Sequence, residues 1–142
     1  MIKNLLFHVY HQDMEPIKLQ YIDEKPRLTA KFQVDGGTAR YLTLLIDSGA
    51  DYTLISHISA LLLGVDYHSL DVPEIDLETA NLEIMKAKKI HLTITIEGQN
   101  LTIPVLISNQ YIENLLGRNG VFKHFDILFQ ESRQKVIFSQ PS

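Results

Sequence analysis

One carboxylate in this chain stands where a carboxylate is costly. Leu45-Ile46 leads into Asp47-Ser48-Gly49-Ala50, so an acid arrives at the end of an apolar strand just where the backbone must turn. Desolvating a carboxylate is unfavourable unless a partner or a reaction compensates. Two chemistries fit. The acid can cap nearby backbone N–H groups in its own turn. Alternatively it can do general acid–base work beside a second carboxylate, since two like charges in contact cannot both ionise and the pair then holds one proton to give and one lone pair to receive. The stretch occurs once.

Other chemistries have little to work with. There is no cysteine, which excludes disulfides, thiol nucleophiles and thiolate metal sites, and which suits a reducing compartment. His8 and His11 are three apart, and His57, His68, His91 and His124 are scattered, with no acidic ligand at zinc-site spacing. No metal and no cofactor are expected. A formal charge of −4 argues against nucleic acid as a partner, because phosphate binding calls for a basic face. The first apolar run ends at His8, short of a signal peptide and far short of the roughly 20 residues that span a bilayer. A cytoplasmic protein with no membrane partner is the expectation.

The elements that must position Asp47 read as strands. Leu28, Ala30, Phe32 and Val34 alternate with Thr29, Lys31 and Gln33, and Asp35-Gly36-Gly37 reads as a hairpin turn into a return strand, Arg40 to Ile46. Thr53-Leu54-Ile55 is a short strand beyond the acid. Ser56 reads as the N-cap of a brief helix, Ile58 to Leu63, closed by Gly64. Tyr67 to Ile75 reads as loop. Ile90, Leu92, Ile94 and Ile96 make the clearest strand, turned at Glu97-Gly98-Gln99-Asn100 into Leu101 to Ile107. A second helix is expected over Asn119 to His124, with Val121, Phe122 and Phe125 packing on the sheet, then strands at Ile127–Phe129 and Val136–Phe138. Lys86-Ala87-Lys88-Lys89 reads as a solvated strand edge. At 142 residues, with no internal repeat and no linker, this is an all-β chain with one core and one or two short helices.

Asp47-Ser48-Gly49-Ala50-Asp51, followed 70 positions on from Asp47 by the Gly of Asn114-Leu115-Leu116-Gly117-Arg118-Asn119, resembles the retropepsin-like aspartic proteases, the family of retroviral proteases and their single-domain cellular relatives. The likeness covers roughly residues 25–138. It implies a retropepsin-like acid-protease β-barrel over residues 25–142, with 1–24 as an N-terminal extension that supplies an added strand. It implies a homodimer in which Asp47 of each copy shares a proton and activates a water against a peptide or unfolded protein. Ser48 would bond across to the other copy, and Gly49 would let a substrate backbone approach. Gly49, Ala50, Asp51, Ile112 and Leu115 would meet substrate, with Glu113 tempering an apolar preference. Asp51 and Arg118 would form a supporting ion pair beside Asn119. The family's flap would have its tip near Thr79-Ala80-Asn81-Leu82, with Ala80 and Asn81 on substrate and Asn81 able to take a left-handed turn. No glycine lies between Val65 and Ile96, so the flap is expected to be stiff. A peptide-binding or scaffolding module of the same fold, weak in catalysis, is the rival expectation.

Overall fold

Strand pairing closes most of the chain into a barrel. The computed structural model describes residues 15–34, 38–79 and 81–142. The strands are β1 (Ile17–Gln20), β2 (Arg27–Gln33), β3 (Ala39–Ile46), β4 (Thr53–Ser56), β5 (Glu74–Glu78), β6 (Ile84–Ile96), β7 (Gln99–Ser108), β8 (Leu115–Leu116), β9 (Asp126–Gln130) and β10 (Lys135–Ser139). Helix α1 spans His57–Leu62. One sheet runs β2-β3-β8-β4-β7-β6-β5, and β2 also pairs with β6, so the first six strands in that order form a ring. Closure leaves those strands no free edge between them.

Alternation sets which side of each strand turns inward. β2 and β3 pair so that Leu28 faces Leu44 and Ala30 faces Leu42, all four buried, while Thr29 and Thr43 meet on the outside with hydroxyls 2.9 Å apart. β6 and β7 are joined through Glu97 and Gly98, whose φ values of 45° and 83° give the left-handed pair that matches hairpin twist. They send Ile94, Ile96, Ile103, Val105 and Ile107 into the core. β1, β10 and β9 form a separate three-stranded sheet whose Val136 and Phe138 join that core. Among the described residues no helix is long and apolar enough to cross a membrane.

The all-β architecture with little helix is as expected, and three local readings need correction. Asn119 to His124 is a run of turns, not a helix: the Arg118 carbonyl accepts from both Val121 and Phe122 N–H, and Gly120 at φ 80° leaves the helical region. The segment read as loop carries a 3₁₀ turn at Tyr67–Ser69, and strand β5 starts inside it at Glu74. Helix α1 does form where Ser56 caps it, the Oγ accepting from Ser59 N–H at 3.1 Å. The turn at Asp35-Gly36-Gly37 and the segment through His11 lie outside the described residues.

The third correction concerns Lys88, which is no solvated edge residue. It is 8% exposed, and its Nζ donates to the carbonyls of Tyr67 at 2.7 Å and Leu70 at 3.0 Å while lying 4.6 Å from the Tyr67 ring centroid. Its cross-strand neighbour Glu74 accepts from the Tyr67 hydroxyl at 2.6 Å. Burial and then that hydrogen bond push the Tyr67 hydroxyl up to about 12, so it stays protonated and donating through neutral pH. One ammonium thus fastens the 3₁₀ turn to the base of the β5–β6 hairpin. Lys88→Met would strand two carbonyls and should lower stability by about 2–4 kcal/mol, read as a fall in denaturation midpoint. An unchanged midpoint would show that the turn holds without it.

Candidate active site

The two sequence motifs meet because β3 and β8 run side by side. They pair in parallel, Leu45 beside Leu115 and Ile46 beside Leu116, so both strands end at one level and release Asp47 and Gly117 together. Asp47 N–H donates to the Leu116 carbonyl at 3.0 Å. Beyond that level the chains stay tied: Arg118 N–H donates to the Ala50 carbonyl at 2.9 Å and Asn119 N–H to the Asp51 carbonyl at 2.8 Å. Gly117 is pressed against the opposite segment. A Cβ there would lie 2.3 Å from the Tyr52 carbonyl carbon, and its own N–H donates to the buried Thr53 Oγ1 at 3.1 Å.

The carboxylate is aimed by its own turn. Asp47 Oδ1 accepts from Gly49 N–H at 2.9 Å, and Ala50 N–H donates to the Asp47 carbonyl at 3.2 Å. Asp47 is half-buried, whereas Ser48 and Gly49 are exposed, so the acid stands at the rim of the barrel with its loop open to solvent. Arg118 Nη1 lies 3.7 Å from Asp51 Oδ1, with both side chains mostly exposed. That separation is too long for a hydrogen bond, and the pair is solvated.

Beside this loop opens a cavity of about 650 Å³. Its apolar wall is Leu54, Leu77, Met85, Leu106, Ile112 and Leu115. Ala50, Asp51 and Glu113 line it as well, so the structure brings together Ala50, Asp51, Ile112 and Leu115 of the residues singled out by sequence. Asn81 stands exposed at the tip of the β5–β6 hairpin, and Ala80 lies outside the described residues. Among the described residues of that tip the left-handed one is Leu82, φ 62°, and not Asn81. Sequence reading passed over Leu77 and Met85. They are cross-strand partners in the hairpin, and with the start of β5 read as loop and no strand assigned to residues 76–78 their pairing gave no signal. It also passed over the Asn114 side chain, which accepts from Ser56 N–H at 3.0 Å and donates to Ser59 Oγ at 2.9 Å, fixing the entry of β8 against α1. Glu113 is held by Arg27, whose Nη2 lies 2.7 Å from its Oε1. Among the described residues no three His, Asp or Glu side chains gather as a metal site.

A family model described as aspartyl protease matches residues 30–119. Among solved structures the chain is similar to a retropepsin-like aspartic protease from Rickettsia conorii, with TM-score 0.67 and 19% identity over 88% of this chain and 99% of that one. It is also similar to EIAV protease complexed with the inhibitor HBY-793, with TM-score 0.52 and 16% identity over 70% of this chain and 88% of that one. Identities at that level speak for the fold. A search of curated proteins found none that matches. The match over 30–119 takes in β3, β8 and both motifs.

Proposed function

Because the chain belongs to the aspartyl protease family, we propose that it is a homodimeric endopeptidase that hydrolyses peptide bonds with Asp47 of each of two copies. The observation that carries this is the parallel β3–β8 pair, which brings one carboxylate, oriented by Gly49 N–H, out on the loop whose next residues, Ala50 and Asp51, line an apolar cavity that Asp47 itself does not line. A single chain supplies a single such acid. Across a two-fold axis the two carboxylates would share one proton. The ionised one takes a proton from a water held between them as that water attacks the peptide carbonyl, while the protonated one donates to the carbonyl oxygen. The roles reverse when the amine leaves. Exposed Ser48 is free to bond across the axis, and Gly49 leaves room for a substrate backbone.

The catalytic unit of this proposal is residues 25–142, with 1–24 as an added segment. Ala80 and Asn81 belong to the substrate-covering flap, Asp51, Arg118 and Asn119 brace the loop, and no cofactor takes part. A cytoplasmic site of action belongs to the same reading, supported by the Cys-free composition. The test is incubation of the purified chain with an unstructured protein from mildly acidic to neutral pH, with products identified by mass spectrometry. Internal cleavage beside apolar residues is expected, and an intact substrate throughout that range would overturn the proposal.

The hairpin tip favours the second reading, a dimeric peptide-binding module with slow turnover. Leu82 holds a left-handed conformation that costs a bulky residue about 1–2 kcal/mol, in a flap with no glycine to ease opening. In Leu82→Gly the relief of that strain and the extra freedom of the unfolded chain nearly cancel, so the melting temperature should hold. Amide exchange over residues 79–83 should quicken and turnover should rise. A folded Leu82→Gly chain with unchanged turnover would show that the flap does not limit the rate.

A further inference from the structure

A second cavity, of about 640 Å³, adjoins the first and shares Asp51 and Tyr52 with it. Its character is different. Arg118, Asn119, Phe122 and Lys123 line it, and none of the six apolar residues of the neighbouring wall does. Its cations are under-used. Arg118 has only the long 3.7 Å approach to Asp51, and Lys123 is exposed with no ion pair among the described residues. Lys89 does not line it, though its Nζ lies 5.3 Å from the ring centroid of Tyr52, which does. Two lining cations against one carboxylate, in a chain of net charge −4, make this a local basic hollow beside an apolar one.

We infer that this hollow is a subsite for an acidic side chain of the peptide whose apolar residue fills the neighbouring cavity. The inference rests on the proposed peptide-binding role of the cleft, and it names a substrate class: extended segments in which Asp or Glu lies a short distance along the chain from an apolar residue. Tyr52, common to both cavities, is the divide over which such a segment passes. Arg118 can turn from its loose contact with Asp51 to a carboxylate at hydrogen-bond distance, where its fork can engage both oxygens. Lys123 follows as a mobile point charge at the mouth. Phe122 supplies an apolar side for the methylenes of the incoming side chain.

Binding can be read without catalysis by using the full chain carrying Asp47→Asn and fluorescence anisotropy. The probes are labelled apolar peptides with Glu, or Gln for comparison, moved stepwise along the sequence. At one register the Glu peptide should bind about fivefold more tightly than its Gln counterpart, an advantage that shrinks with added salt. Lys123→Glu, a surface change, should cancel that advantage and favour a Lys peptide at the same register. Equal binding of Glu and Gln peptides at every register, an advantage that survives Lys123→Glu, or no binding of any peptide would overturn the inference. Cleavage of the parent peptide by the unsubstituted chain is scored separately. A Glu advantage with no cleavage upholds the subsite and removes the protease reading, whereas cleavage without a Glu advantage does the reverse.

Discussion

Asp47→Asn should leave the chain folded and cut proteolysis by about two to four orders of magnitude, the range over which positioned acid–base groups act. Asparagine has nearly the shape of aspartate and keeps a carbonyl oxygen to accept the Gly49 N–H now 2.9 Å from Oδ1. The loop therefore closes as before, and the melting temperature should move little. What disappears is the titrating group. In the proposed dimer the unsubstituted protein should show a bell-shaped pH profile for kcat/KM, since one carboxylate must be ionised and its partner protonated. The rising and falling limbs belong to the pair and should vanish together. Mixing folded Asp47→Asn protomers with unsubstituted ones should depress activity below simple dilution, because a mixed dimer holds half a dyad. Strictly proportional dilution after subunit exchange would remove the shared dyad, and equal activity in the substituted protein would remove Asp47 from the mechanism.

Gly117→Ala should be the most damaging alanine substitution among the described glycines. The added methyl would sit 2.3 Å from both the carbonyl carbon and the carbonyl oxygen of Tyr52 and 2.8 Å from Thr53 N. These are backbone atoms, so no side chain can rotate to make room. Relief requires β8 to part from the Tyr52–Thr53 segment, which breaks the Gly117 N–H bond to Thr53 Oγ1 and strains the Arg118 and Asn119 bonds just beyond. A cost of about 3–5 kcal/mol is expected, enough to unfold a chain of ordinary marginal stability. Denaturant titration measures it. The contrasting control is Gly98→Ala, where the new Cβ meets nothing within 4 Å and only the positive φ is penalised. A Gly117→Ala protein as stable as the Gly98→Ala protein would refute the account of this contact.

How much the sequence revealed followed from how local each signal is. The period-two runs in β2 and in the second half of β6 were readable because alternation needs no knowledge of the partner strand, whereas β7 ends with Val105 to Ser108 all buried and so shows no single face there. β8 is two residues long and has no period to read; it is a strand only because Leu45 and Ile46 lie beside it. The turns at Asn119 to His124 resemble a helix in composition, and Gly120, wedged 2.9 Å in Cβ terms from Ile103, decides otherwise. Lys88 looked like part of a charged run, since nothing nearby in sequence announces that Tyr67 and Leu70 will fold their carbonyls over it. At the site, the acid and its loop partner were readable as motifs. The opposite wall of the cavity was not, because Leu77 and Met85 acquire their meaning only from hairpin register.

The parallel contact of β3 with β8 also sets an order of events in time. Asp47 and Gly117 are 70 positions apart, so the acid leaves the ribosome long before the strand that seats it. Closing a loop of that length is slow compared with forming the β6–β7 hairpin in between. The half-site is therefore assembled late, after most of the hydrophobic surface has found cover. In the proposed endopeptidase the acid is unseated while its own chain is still unfolded and cleavable, so topology adds to the need for a second copy in holding off self-digestion during synthesis.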